Sequence, residues 1–142
     1  MANLLPIDFS QISTYITLAV ILILSVVLCM LAYRLMNVVP AKWLCDYDEE
    51  PGESLLGTRY IFKQSGIYTS ALFAIFNLGI FAFFGYSYYT IFFLLISYTM
   101  LLITMSDFKY TIIPDQFTIA LAVLCVALAI TDLLTDQIFI KE

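Results

Sequence analysis

The sequence predicts an all-α membrane protein: about four transmembrane helices with one cytoplasmic loop. Three observations carry that expectation. Of 142 residues, 63% are apolar and 12% charged, against about 25% charged in an ordinary soluble domain. The mean hydropathy is +0.98, and a soluble fold of this length could not hide so much apolar surface, because small domains bury only part of what they expose. The charges are also gathered, so that long uncharged runs alternate with short polar stretches, the pattern imposed by a bilayer that takes about 20 helical residues to cross. The same composition excludes a disordered chain, which would be poor in apolar residues and rich in charge.

The first span falls within residues 1–33. Phe9 to Tyr33 carries no charge, and Tyr15–Tyr33 is almost wholly aliphatic. Residues 1–33 hold no Lys or Arg and no small-residue cleavage site closes the apolar run, so the segment reads as a retained span and not as a cleaved signal. Residues 34–65 form an aqueous loop. It holds Arg34, Lys42, Asp46, Asp48, Glu49, Glu50, Glu53, Arg59 and Lys63, with a turn at Pro51-Gly52. Residues 66–142 form a helical membrane region. Gln64 to Ser106 is uncharged, too long for one span and about right for two, with the natural break at Gly85-Tyr86-Ser87. Spans are therefore expected near 66–84 and 88–106, with Tyr86, Tyr88 and Tyr89 in an interfacial aromatic belt. A polar hairpin, 107–115, closes at Pro114, and a shorter apolar run, 116–131, precedes Asp132 and Asp136.

Lys and Arg set orientation, since acidic residues contribute little to the rule. Arg34, Lys42, Arg59, Lys63 and Lys109 share one side and Lys141 the other. The loop and the hairpin are thus expected in the cytoplasm and both termini outside.

Several chemistries drop out. The formal net charge is −5 and there is no basic patch, so nucleic acid is not an expected partner. There is no His, so no Ser/His or Cys/His nucleophile can form. Cys29, Cys45 and Cys125 include no CxxC, so neither a disulfide framework nor a metal site is expected. No Gly-rich phosphate loop occurs and no cofactor is expected. The spans lack Asp, Glu, Lys and Arg, which argues against a transport pathway.

What remains is the hairpin. Asp107 lies where an apolar helix ends, at the negative end of its dipole. Acid–base catalysis by carboxyls needs a group that can hold a proton near neutral pH. Aspartic peptidases use two such groups to activate water against a peptide carbonyl. The plainer readings stand beside this one: Asp107 as a solvated helix flank, Asp115 as the N-cap of the fourth helix, and Lys109 as a membrane anchor. Asp107 and Asp115 are eight residues apart with Pro114 between them, a spacing that permits a close approach without requiring one.

The run from Asp107 through Ile113-Pro114-Asp115-Gln116-Phe117-Thr118 resembles the first catalytic motif of the type IV prepilin peptidases. Leu31-Ala32-Tyr33-Arg34-Leu35 is similar to the end of that family's first helix. Arg59-Tyr60 stands where the family has Arg-Tyr-Pro before its second helix. The order of helix, loop, two helices, motif and helix matches over nearly the whole chain. The resemblance implies an inner-membrane aspartic endopeptidase that cuts the basic leader from prepilins or pseudopilins at the cytoplasmic face. Asp107 would be its first catalytic aspartate, and Pro114 and Asp115 the motif's supporting end. The acids Asp46, Asp48, Glu49, Glu50 and Glu53 would attract the basic leader, although such a cluster is more often a solvated loop. The family's second catalytic aspartate, in a Gly-x-Gly-Asp motif, is not in these 142 residues. The loop has Cys45 alone where many members hold zinc with two Cys pairs, and Ile61 stands in place of the motif Pro. The expectation is a chain that does not cleave alone. Its second carboxyl would come from a further segment, from self-association with a second copy, or from Asp115. The rival reading is a non-catalytic membrane scaffold subunit of a pilus or secretion machine.

Overall fold

The computed structural model describes residues 11–44, 61–110 and 113–139, apart from the side chains of 44, 109–110 and 136–139. The order is α1 (Ile12–Met36), a 3-10 turn (Ala41–Leu44), α2 (Gln64–Phe84), α3 (Tyr88–Tyr110) and α4 (Asp115–Phe139). There is no strand among the described residues. All four α-helices are long and apolar enough to cross a membrane, so the chain is a multi-pass membrane protein. Loop residues Cys45, Asp46, Asp48, Glu49, Glu50, Glu53, Arg59 and Tyr60 lie outside the described residues.

The break between α2 and α3 has a clear local cause. Gly85 takes φ 58°, a conformation that side chains resist. Its N–H donates to the Phe81 carbonyl at 2.8 Å, which ends α2. Its own carbonyl accepts the Thr90 hydroxyl at 2.6 Å, which starts α3. At the other end of α2, the Phe62 ring lies over Gly66, where a Cβ would meet it at 2.6 Å. Phe62 also meets Tyr33 of α1 edge-on, with ring centroids 5.2 Å apart.

Two helices run past the expected spans. α3 continues to Tyr110 and takes Asp107 into its last turns. α4 continues to Phe139, so Asp132 sits inside the helix instead of following it. The reason is tertiary. The Asp132 carboxylate accepts hydrogen bonds from Tyr88 and Tyr89 of α3, and a charge satisfied by a neighbouring helix need not end its own.

α1 packs chiefly on α2 and α4 chiefly on α3, with α2–α3 and α1–α3 contacts closing the bundle. The helices are apolar on nearly all sides, so no hydrophobic stripe selects the inner face. Small and hydroxyl-bearing residues do so instead. Ser25, Cys29 and Ala32 are buried on α1, Gly66, Ser70, Ala74 and Asn77 on α2, and Ser97 and Ser106 on α3. Lipid tails are as apolar as Leu, so helix association in a membrane depends on close packing and on interhelical hydrogen bonds.

The clearest such bonds form a chain across three helices. Ser97 of α3 donates to Asn77 Oδ1 at 2.8 Å. Asn77 Nδ2 donates to Ser25 Oγ at 2.9 Å. Ser25 donates to the Ile21 carbonyl of its own helix at 2.7 Å. The chain divides the apolar interior. On one side lie Ile21 and Phe81. On the other lie Cys29, Tyr33, Met36, Phe73, Leu101, Met105 and Phe117.

Asn77→Leu should remove both interhelical bonds and take the acceptor from the buried Ser97 hydroxyl, while Ser25 keeps its bond to the Ile21 carbonyl. The expected loss is about 1–3 kcal/mol, since interhelical bonds in membranes average about 0.6 and reach about 1.7 each. Unfolding by SDS titration in mixed micelles measures it. Thr104→Val, which removes only a bond to the Met100 carbonyl on the same helix, should leave the midpoint nearly unchanged.

Candidate functional site

The end of the bundle where α3 meets α4 holds the carboxylates singled out in the sequence. Helical geometry sorts the residues there. Met105 and Ser106 turn inward and are buried, and Asp107 and Phe108 turn outward and are exposed. Across the connection Pro114 is fully buried, Asp115 is exposed and Phe117 enters the core cluster. Ser106, Pro114 and Phe117 thus hold the end of α3 and the start of α4 in the core, and Asp107 and Asp115 lie exposed beside them on the same end of the bundle. Asp107 is at the C-terminal end of α3 and Asp115 in the first turn of α4, so the two carboxyls meet helix dipoles of opposite sign.

The N-cap position goes to Pro114 and not to Asp115. The Pro114 carbonyl accepts from Phe117 N at 3.0 Å and from Thr118 N at 3.3 Å, and the cap residue is the one whose carbonyl takes the first helical bonds. Proline suits the edge of a helix because it has no N–H to leave unpaired. Asp115 is then the first helical residue, which frees its side chain from the capping role.

Tyr33 is buried and Arg34 exposed at the end of α1 on the same side. The acids Asp46, Asp48, Glu49, Glu50 and Glu53 lie outside the described residues, as does the side chain of Lys109. Among the described residues no group of three or more His, Cys, Asp or Glu could hold a metal ion.

Beside this end a groove of about 880 Å³ opens between α2 and α3, with Tyr33 of α1 also on its wall. It runs from Ile61, Ser65 and Phe108 at the Asp107 end to Phe76 and Ser97 near the middle of the helices. Ser97 is also the last member of the buried hydrogen-bonded chain, so the groove reaches the polar centre of the bundle.

Two polar groupings escaped the sequence reading. The first is Ser25, Asn77 and Ser97. Its signal was present, since Asn77 is the one Asn or Gln within the uncharged run 66–84. The second is Tyr88, Tyr89 and Asp132 at the opposite end of the bundle. Tyr88 donates to Asp132 Oδ1 at 2.9 Å, Tyr89 donates to the same oxygen, and the two rings stack with centroids 4.2 Å apart. Phe84 stacks on Phe93 at 4.6 Å and meets Tyr89 at 6.0 Å, which extends the aromatic layer. The grouping ties α3 to α4 far from Asp107 and Asp115.

Comparison with protein-family models, with curated proteins and with solved structures finds no match to the chain.

Phe117→Ala should loosen the start of α4, which carries Asp115. The expected cost is about 1–3 kcal/mol, below the roughly 3–5 of a water-soluble core, because lipid as well as protein solvates the ring. Hydrogen exchange of the Phe117 and Thr118 amides, both bonded to the Pro114 carbonyl, should quicken, while the amides around Asn77 keep their protection.

Proposed function

We propose that the chain is a membrane aspartic endopeptidase of the prepilin peptidase type, with Asp107 as one of its two working carboxyls. The hairpin end faces the cytoplasm across a plasma membrane and both termini lie outside. The observation that supports this reading is the placement of two exposed carboxylates, Asp107 and Asp115, at one end of the bundle beside buried Pro114 and Phe117. Rigid support of an exposed acid is what positional catalysis needs.

In this reading one carboxylate takes a proton from water as the water oxygen attacks the scissile carbonyl carbon. The partner carboxyl gives its proton to the departing amine nitrogen, the C–N bond breaks, and a new carboxyl and a new amine result. Asp107 supplies one of the two roles. The other falls to Asp115, to a second copy of the chain, or to a further segment bearing Gly-x-Gly-Asp. The acids Asp46, Asp48, Glu49, Glu50 and Glu53 hold the substrate's basic leader.

A second reading, a non-catalytic scaffold subunit, draws support from α4. Little of that helix is buried, and Ile119, Val123, Val126, Ile130 and Leu133 form an exposed apolar surface along it, suited to a neighbouring membrane helix.

Incubation of the purified chain with a prepilin separates these readings. Alone it should leave the prepilin uncut, and co-expression with a Gly-x-Gly-Asp segment should restore cleavage. Asp107→Asn should then lower the rate by about 10²-fold or more. Cleavage by the chain alone, lost in both Asp107→Asn and Asp115→Asn, would assign the second carboxyl to Asp115. Prepilin processing and piliation unchanged by Asp107→Ala in the cell would sink the peptidase reading and leave the scaffold.

A further inference from the structure

The chain that leaves α1 folds back on its own helix instead of rising away from the bundle. The Asn37 N–H donates to the Arg34 carbonyl at 3.1 Å, and the Val38 and Val39 N–H groups both donate to the Leu35 carbonyl, at 2.9 and 3.0 Å. The Asn37 side chain donates to the Tyr33 carbonyl at 3.1 Å. Pro40 has no N–H, and its carbonyl accepts the Trp43 N–H at 2.9 Å in the 3-10 turn. Val39 packs against the core cluster that holds Met36, Met105 and Phe117. Residues 37–43 are therefore held at the edge of the bundle, immediately past the end of a membrane-spanning helix.

Val39 turns inward, and its apolar neighbours do not. Val38 is 78% exposed, and Trp43, the chain's one Trp, is 40% exposed. Arg34 and Lys42 are exposed on the same stretch. The boundary between headgroups and hydrocarbon suits this set. An indole has an apolar body and an N–H that seeks a polar partner, so it favours a place with one dry side and one wet side. Long basic side chains reach from such a boundary to water. The backbone does not oppose it, because the amides of Asn37, Val38, Val39 and Trp43 are paired within the chain, and unpaired amides are what bar irregular backbone from contact with lipid.

We infer that residues 37–43 form a lipid-binding surface seated in the membrane interface, with the Trp43 indole at the level of the lipid glycerol esters. The seat uses neither Asp107 nor Asp115 and is independent of the peptidase reading.

The fluorescence of the full chain tests it directly, since Trp43 is its one indole. In phosphatidylcholine vesicles the emission should lie to the blue of tryptophan in water. Phosphatidylcholine brominated near the ester end of its acyl chains should quench that emission more than lipid brominated near the methyl end. The ratio should place the indole about 15 Å from the bilayer centre, at the edge of a hydrocarbon core roughly 30 Å thick. Val38→Trp in a Trp43→Phe chain moves the probe to the other exposed apolar position and should give the same order of quenching. Emission like that of tryptophan in water, with ready quenching by acrylamide and none by brominated lipid, would place the segment in water and overturn the inference. An indole shielded from both quenchers would be covered by protein and would overturn it too, as would stronger quenching from the deeper bromine in either chain.

Discussion

The side-chain amide of Asn77 is the constraint on which the rest of the bundle depends. It lies buried in the middle of a span, where there is no water to bind it, and an unsatisfied polar group in hydrocarbon costs several kcal/mol. Ser25 and Ser97 are its partners, one on each neighbouring helix. The three residues must sit at one depth, and this sets how far α1, α2 and α3 slide along one another. Apolar contacts alone would set that register weakly, because one lipid-like side chain packs against another nearly as well as against a lipid tail. With the register held, Ile21 meets Phe81 on one side of the chain of hydroxyls, and Cys29, Phe73 and Leu101 gather on the other.

α4 is attached differently. It lies along α3 with most of its surface outward, and both of its ends are fastened. Near its start Pro114 and Phe117 enter the core. Near its end Asp132 takes two phenol hydrogen bonds from α3. The bundle is thus a three-helix core with a fourth helix strapped across it. The start of the strap is where Asp107 and Asp115 come to the surface. Neither helix can move at that end without opening the cluster around Met36, Met105 and Phe117.

The groove and the carboxylates share that end but have different surroundings. The groove lies between α2 and α3, and the carboxylates are carried by α3 and α4. Both are consequences of the same inner packing, which turns Met105 and Ser106 inward and leaves Thr104 and Asp107 outward.

Some of this architecture is local to the chain and some is not. Composition and the spacing of charge were sufficient for four apolar helices, since hydropathy adds up residue by residue along the chain and needs no knowledge of neighbours. Gly85 was legible as the break because its conformational freedom is a local property. Asp107 and Asp115 were legible as surface carboxylates flanking a proline. Asp132 was not legible as a residue within a helix, because its partners Tyr88 and Tyr89 are more than forty positions away. Nor was the cap at Pro114, since Asp115 was the better capping residue by type alone. The sequence by itself thus determined the solvent, the number of helices and the turns between them. Only the tertiary structure decided which faces turn inward, how α1, α2 and α3 are registered through Asn77, and which end gathers the groove and the carboxylates. The physical reason is that a helix apolar on all sides carries no stripe to point it, so its orientation is settled by a few polar and small residues whose partners lie on other helices.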